Sequence, residues 1–129
     1  MTARLKIYAR ILLLVYLAAV CVLCFARFDE SPSMSLSFWG IPSDKIVHFL
    51  MFAPFPILAW FSLGKFPERR KRLLTLGGLL LLGLVLAVFT EGIQWFIPYR
   101  SGDWRDLLSD ALGLLATTLI LIPIVCRKD

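Results

Sequence analysis

The sequence predicts an all-α integral membrane protein, in which a bundle of four membrane-spanning helices has both termini in the cytoplasm. Of its 129 residues 59% are hydrophobic, and the mean hydropathy is +0.79. A single soluble core does not need so many apolar residues, so many of them must face lipid. The apolar residues also fall in long blocks, and most basic residues lie on one side of those blocks.

Four apolar blocks are long enough to cross a membrane as helices. They cover about residues 7–26, 46–63, 73–98 and 106–125. A hydrocarbon layer of about 30 Å needs about 20 helical residues, because each adds about 1.5 Å. The strands of an outer-membrane barrel would alternate apolar and polar residues, and these blocks do not. We therefore expect a single transmembrane domain over residues 1–129, with no soluble domain attached.

The first block also has features of a secretory signal, because Arg4, Lys6 and Arg10 precede an apolar run. That run has about 20 residues, whereas the apolar part of a signal peptide usually has about 7–15, and no small-x-small cleavage site follows. Cys21 and Cys24 lie inside the run, so we expect them to pack there rather than to form a redox site. The block is therefore predicted to remain as the first helix.

The basic residues predict which side each loop faces. Ten of the 14 Lys and Arg residues lie before the first helix, between the second and third, or after the fourth. The other side holds Arg27, Lys45, Arg100 and Arg105. The positive-inside rule then places both termini in the cytoplasm. The formal net charge of +5 is explained by this topology and by attraction to anionic lipid, so no nucleic-acid partner is implied.

The other polar residues gather at the outer side of the membrane. From the helical rise, Glu91 and Gln94 lie about 10 Å and about 6 Å below Pro98, the outer end of the third helix. The rest begin the second helix or lie in the second outer loop and the start of the fourth helix: Asp44, Lys45, His48, Arg100, Asp103, Arg105, Asp106 and Asp110. Ionisable groups at membrane depth are costly unless paired. These groups are too numerous for a single structural ion pair, so they predict a functional site.

Helical spacing predicts that these groups face one another. Gly83, Ala87 and Glu91 follow at four-residue intervals on the third helix, so a strip of small residues leads to the carboxylate. Similar faces on the second and fourth helices are formed by Asp44 and His48, and by Asp106, Asp110, Gly113 and Thr117. Small strips mark close helix contact, and polar faces avoid lipid. We therefore expect Glu91 to face His48 and the fourth helix inside the bundle.

The order and spacing of these residues resemble the VanZ-like family of small bacterial membrane proteins, named for a component linked to teicoplanin resistance. The pattern reads Asp44-Lys45-x-x-His48-Phe49, Glu91-x-x-Gln94, Arg100-x-x-Asp103-x-x-Asp106 and Asp110-x-x-Gly113. It covers about residues 38–118. One departure is Asp110, which stands where the family commonly has Asn and adds a negative charge when ionised. The resemblance implies a bacterial cytoplasmic membrane and, for most members, no established reaction.

The residue types favour acid–base and anion-binding roles. The catalytic candidates are His48, Glu91, Asp44 and Asp106. His48 is the predicted base, with Asp44 one turn away to orient it. The ligand-binding candidates are Lys45, Gln94, Arg100, Asp103, Arg105 and Asp110. Arg100 and Arg105 suit phosphate because a guanidinium stays charged and forms two parallel hydrogen bonds. We expect no cofactor or metal site, although a divalent cation held by the acids stays an open alternative.

Three functions remain open at this point. The first is an outer-face site that binds, and in one form processes, an anionic lipid-linked head group of the cell envelope. The second is a non-catalytic envelope modulator of the glycopeptide-resistance type, and the third is a small scaffold subunit of a membrane complex. We predict a multi-pass location in the bacterial cytoplasmic membrane, with membrane lipid or a lipid-linked envelope precursor as partner. A homo-oligomer remains open.

Overall fold

The structure, a computed structural model, describes residues 2–25, 37–98 and 102–127. Its helices are α1 (Ala3–Phe25), α2 (Ser43–Phe52), α3 (Pro54–Leu63), α4 (Arg69–Phe96) and α5 (Trp104–Cys126). Two short strands, β1 (Ser37–Phe38) and β2 (Ile41–Pro42), pair antiparallel before α2. Because α2 and α3 together form one span, the described residues contain four helical segments long and apolar enough to cross a membrane. The predicted all-α four-helix membrane bundle is confirmed.

The helices begin two to four residues before their predicted starts. The predicted spans began where the apolar blocks begin, whereas the observed helices also include charged residues before those blocks, such as Arg4, Asp44 and Arg69. Long charged side chains at a span's end keep the charge in the head-group layer while the backbone remains helical. Hydropathy therefore locates the lipid-buried part of each helix, and the helix extends beyond it.

The second span is interrupted at Ala53, directly before Pro54 begins α3. Proline has no N–H, so Pro54 and Pro56 each remove one helical hydrogen bond. Ala53 keeps helical backbone angles, with φ −55° and ψ −38°, so the interruption is local. The hydroxyl of Tyr16 on α1 donates to the carbonyl oxygen of Met51, next to the interruption. A hydrogen bond from a neighbouring helix thus reinforces the second span where its own ladder is weakest.

The centre of the bundle is α5, which packs against both α2 and α4, while α1 packs mainly on α3. Ala87 on α4 and Leu114 on α5 are fully buried at this centre. Next to Leu114, Gly113 lies against the α2 backbone: a Cβ added there would be 2.4 Å from the carbonyl oxygen of Phe49. The missing side chain at Gly113 therefore allows the two helices that carry most of the polar residues to approach closely.

The outer surface of the bundle is apolar, as a lipid-facing surface must be. On α1 only Val20 and Cys24 are buried, and residues such as Leu14 and Val15 are more than half exposed. Similar exposed Leu, Val, Ile and Phe side chains cover α4 and α5. In water such a surface would aggregate, whereas in a bilayer it is solvated by acyl chains.

Orientation in the membrane is our first testable prediction. We expect a cysteine at Ile41 to react with a membrane-impermeant maleimide in intact cells, and one at Pro67 to react only after permeabilisation, because basic loops stay in the cytoplasm. Both positions are exposed. The background would have Cys21, Cys24 and Cys126 replaced. Reaction of Pro67→Cys from outside intact cells would reverse the predicted orientation.

Candidate functional site

Most of the predicted site residues meet at one end of the bundle, where α2 and α5 begin and α4 ends. We call the group the polar-end cluster; its members are Asp44, Lys45, His48, Glu91, Asp103, Asp106 and Asp110. The loop before α5 reaches it by lying on α4: a Cβ added at Gly102 would be 2.1 Å from Cδ1 of Trp95. Glycine lets the backbone lie directly against the indole there, and the next residue, Asp103, lies between α2 and α4.

Lys45 pairs with three carboxylates, and two of them join α2 to the start of α5. Its Nζ lies 3.0 Å from Oδ2 of Asp44 and 2.9 Å from Oδ2 of Asp103, and it also pairs with Oδ1 of Asp106. The side chains of Lys45 and Asp106 are 13% and 12% exposed, so little water screens their attraction. The ammonium therefore neutralises part of the acidic charge that the helices bring together.

His48 lies between two carboxylates of α5. Its Nδ1 is 2.9 Å from Oδ1 of Asp110, and its Nε2 is 3.5 Å from Oδ2 of Asp106. The side chain of Asp110 is only 1% exposed. The sequence assigned the orienting role to Asp44, one turn from His48 on the same helix. The structure instead pairs Asp44 with Lys45, and Asp110 takes the place beside His48.

Glu91 is buried inside the bundle, as the small-residue strip on α4 predicted. The residue is 4% exposed. One oxygen, Oε1, accepts a hydrogen bond of 2.7 Å from the backbone N–H of Asp103. The other oxygen, Oε2, is buried and has no hydrogen-bond partner within the described parts of the chain. A carboxylate oxygen in this position can accept a hydrogen bond from a group that enters the site.

Asp103 begins α5 and is the cluster member that lies between the membrane spans. Its Oδ1 caps the helix by accepting a 2.9 Å hydrogen bond from the N–H of Arg105. The hydrogen-bonded ammonium of Lys45, and then the N–H of Arg105, lower the pKa of Asp103 below its usual value. Asp103 is therefore ionised at neutral pH.

Two of the predicted ligand-binding residues, Gln94 and Arg105, lie outside the cluster. Gln94 is buried on α4, and its amide donates a 2.8 Å hydrogen bond to the carbonyl of Cys24, which ties α4 to the end of α1. Arg105 is exposed at the edge of the cluster, with its guanidinium carbon 5.9 Å from the ring centroid of Trp104. Arg100 falls outside the described residues.

The charge of the cluster limits what it can bind. Five of its members are carboxylates, and they are matched within the cluster by Lys45 and His48. Hydrogen-bond donors of a ligand, such as hydroxyl or amino groups, suit these carboxylates better than an anion does. An anionic group would instead meet Arg105 at the edge. The described residues contain no group of three His, Cys, Asp or Glu side chains that could hold a metal ion.

Two contacts of this region were not anticipated from the sequence. Tyr16 lies on an apolar face of α1, and no local pattern indicates that its hydroxyl reaches Met51. The signal that could have pointed to it is the pair of prolines in the second span, because a helix interrupted by proline often finds outside hydrogen-bond partners. Apart from the similar membrane depth of the two residues, nothing in the sequence indicated that Asp110 pairs with His48.

Comparison with known proteins gives one match. A family model described as VanZ/LLP1 matches residues 11–126, which is nearly the whole chain. No curated protein and no solved structure matches.

Proposed function

Because the chain belongs to the VanZ/LLP1 family of membrane proteins, we propose that its polar-end cluster binds the head group of a lipid-linked cell-envelope molecule, with His48 as the acid–base residue. The observation that carries the proposal is the free Oε2 of Glu91. This carboxylate is buried, and its Oε2 lacks a partner in the described chain. An unpaired polar atom in a cluster that also holds an oriented imidazole supports a site that a ligand completes.

The surroundings of His48 support a role in proton transfer. Asp110 holds one edge of the imidazole at Nδ1, and this fixes the orientation of the ring. The opposite nitrogen, Nε2, then faces Asp106 at the longer distance of 3.5 Å. A nitrogen that is oriented through its partner yet loosely paired itself can exchange a proton with a ligand hydroxyl or amine.

The proposed ligand carries both anionic and donor groups. Hydroxyl or amino groups of the head group would meet the carboxylates of the cluster, including Oε2 of Glu91. Its phosphate would meet Arg105 at the edge, since a guanidinium binds phosphate through parallel hydrogen bonds, and the sequence predicts the same role for Arg100. The apolar chain of such a molecule would remain in the bilayer beside α4 and α5. Lipid-linked envelope precursors combine these three parts.

The scaffold function has its own support. Lys45 links α2 to α5 through Asp103 and Asp106, so the cluster holds the bundle together whether or not it binds a ligand. A scaffold needs these ion pairs but has no need of a proton-exchanging His48. The non-catalytic modulator is intermediate, because it needs Arg100 and Arg105 and not His48.

Our second prediction separates these functions. In a deletion strain, His48→Gln and Arg100→Ala are both expected to be folded and to fail to restore the envelope phenotype, scored as glycopeptide sensitivity. Glutamine keeps hydrogen bonding at position 48 and removes proton transfer, which commonly contributes about 100-fold or more in rate. Ser109→Ala is the control, because among the described residues this hydroxyl bonds to the carbonyl of Arg105 on its own helix, and it should complement fully.

Insertion and thermal stability in detergent are measured first for each variant. Failure of Arg100→Ala alone would mean binding without catalysis, which favours the non-catalytic modulator. Full complementation by both folded variants would remove the site proposal and leave the scaffold.

A further inference from the structure

A second site lies at the opposite end of the bundle, which we call the basic end; there α1 and α4 begin and α3 and α5 end. An open cavity of about 300 Å³ lies among these helix ends. Its lining combines apolar side chains, such as Trp60 and Ile124, with the cations Lys65, Arg72 and Arg127. We propose that this cavity binds the phosphate head group of an anionic membrane phospholipid. The proposal does not depend on the function proposed for the polar-end cluster.

The charge of the cavity is positive and is not compensated by its lining. Among the described residues that line it there is no carboxylate. A fourth cation stands at its wall, because a Cβ added at Gly64 would lie 2.6 Å from Nζ of Lys6. Glu68, the acid directly before α4, pairs instead with Lys71 at 3.0 Å on the exposed surface. The cations around the cavity therefore attract an anion from outside the chain.

Arg72 offers a specific hydrogen-bond donor to such an anion. Its Nε is buried and has no hydrogen-bond partner among residues 2–25, 37–98 and 102–127. A buried guanidinium N–H without an acceptor is unfavourable, and a phosphate oxygen is the acceptor whose geometry and charge suit it best. A surface arginine that merely extends into water would have no such atom.

The apolar part of the lining identifies the source of the phosphate as a lipid. Ile124 is 59% exposed on the side of α5 that faces the bilayer, while Trp60 closes the inner wall. Acyl chains leaving the cavity would cover Ile124 and the neighbouring apolar surface, and this burial is favourable. Free phosphate would gain nothing from that surface. Basic pockets between membrane helices at head-group level are known to bind anionic lipids.

The test uses the full chain purified in a neutral detergent and titrated with phosphatidylglycerol or phosphatidylcholine. We expect native mass spectrometry to show one retained phosphatidylglycerol per chain, with a rise in thermal stability that phosphatidylcholine does not give. Arg72→Gln should weaken binding by roughly tenfold or more, the effect of one charged hydrogen bond. Arg69→Gln is the matched control: it removes the same charge from the same helix end but no residue of the lining, so its loss should be smaller.

A second variant tests the same cavity in case Arg72→Gln does not fold. Arg127 lies just after α5, so Arg127→Gln removes a lining cation without changing a helix, and it should also weaken binding. Equal losses for Arg69→Gln and Arg72→Gln, in salt high enough to screen diffuse attraction, would overturn the proposal. Equal retention of the two lipids, or displacement of the lipid by inorganic phosphate alone, would overturn it as well.

Discussion

A Lys45→Met variant is expected to lose on the order of 3 kcal/mol of its free energy of unfolding, because removing one partner of a poorly hydrated ion pair leaves the others uncompensated. Without the ammonium, Asp103 and Asp106 would face each other beside α2 as like charges. Both now contact Nζ of Lys45, and the side chain of Asp106 is only 12% exposed. Reversible unfolding of the purified protein in detergent measures the loss.

Lys71→Met is the matched control for this prediction. Lys71 also forms an ion pair, with Glu68, but both side chains are more than half exposed. Such pairs contribute between nothing and about 1 kcal/mol, so the control should stay close to the native stability. Adding Asp106→Asn to Lys45→Met should recover part of the loss by removing a repulsive charge. Equal stabilities for Lys45→Met and Lys71→Met would show that the cluster does not hold α2 to α5.

The fold could be predicted because its signals are local. An apolar block of about 20 residues implies a membrane helix whatever its neighbours are. The small-residue strips also gave the correct inward faces: Gly83, Ala87 and Glu91 are all buried on α4. The exact ends of the helices were less predictable, because charged side chains at head-group level can belong to the helix or to the loop.

The pairings inside the site could not be predicted from spacing. Spacing within one helix places Asp44 one turn from His48, but it does not determine which acid bonds to the imidazole. The acid that does so, Asp110, is 62 residues away on another helix. Its position depends on the depth and rotation of α5 against α2, which the close contact at Gly113 sets. Gln94 shows the same limit, since its partner Cys24 lies on α1.

The two ends of the bundle differ in whether their charged side chains are paired. At the polar end the carboxylates are bridged by Lys45 and His48, so substitutions there should affect stability and function together. At the basic end the cations that line the cavity have no carboxylate beside them in the described part of the chain, so their removal should cost binding more than stability. Effects of substitutions at the two ends should therefore add, as they do for distant sites with no shared partners.

The Gly113→Ala variant is expected to be destabilised by about 3 kcal/mol, at the upper end of the usual cost of overpacking, or to fail to fold. Its Cβ would lie 2.4 Å from the carbonyl oxygen of Phe49 and 3.2 Å from the carbonyl carbon. These are backbone atoms of a helix and cannot turn away as a side chain can. The helices α5 and α2 would have to separate, which would lengthen the contact between His48 and Asp110 one turn away.

Two other glycines provide a graded control for this prediction. At Gly78 an added Cβ meets nothing within 4 Å, so Gly78→Ala should be neutral or slightly stabilising because alanine favours the helix. At Gly83 the nearest atom, at 2.6 Å, belongs to the side chain of Leu114, which can rotate, so the cost should be intermediate. When unfolding is measured in one detergent, the loss of stability should be largest for Gly113→Ala, intermediate for Gly83→Ala and smallest for Gly78→Ala. A Gly113→Ala protein as stable as Gly78→Ala would show that close packing of α5 on α2 does not position the cluster.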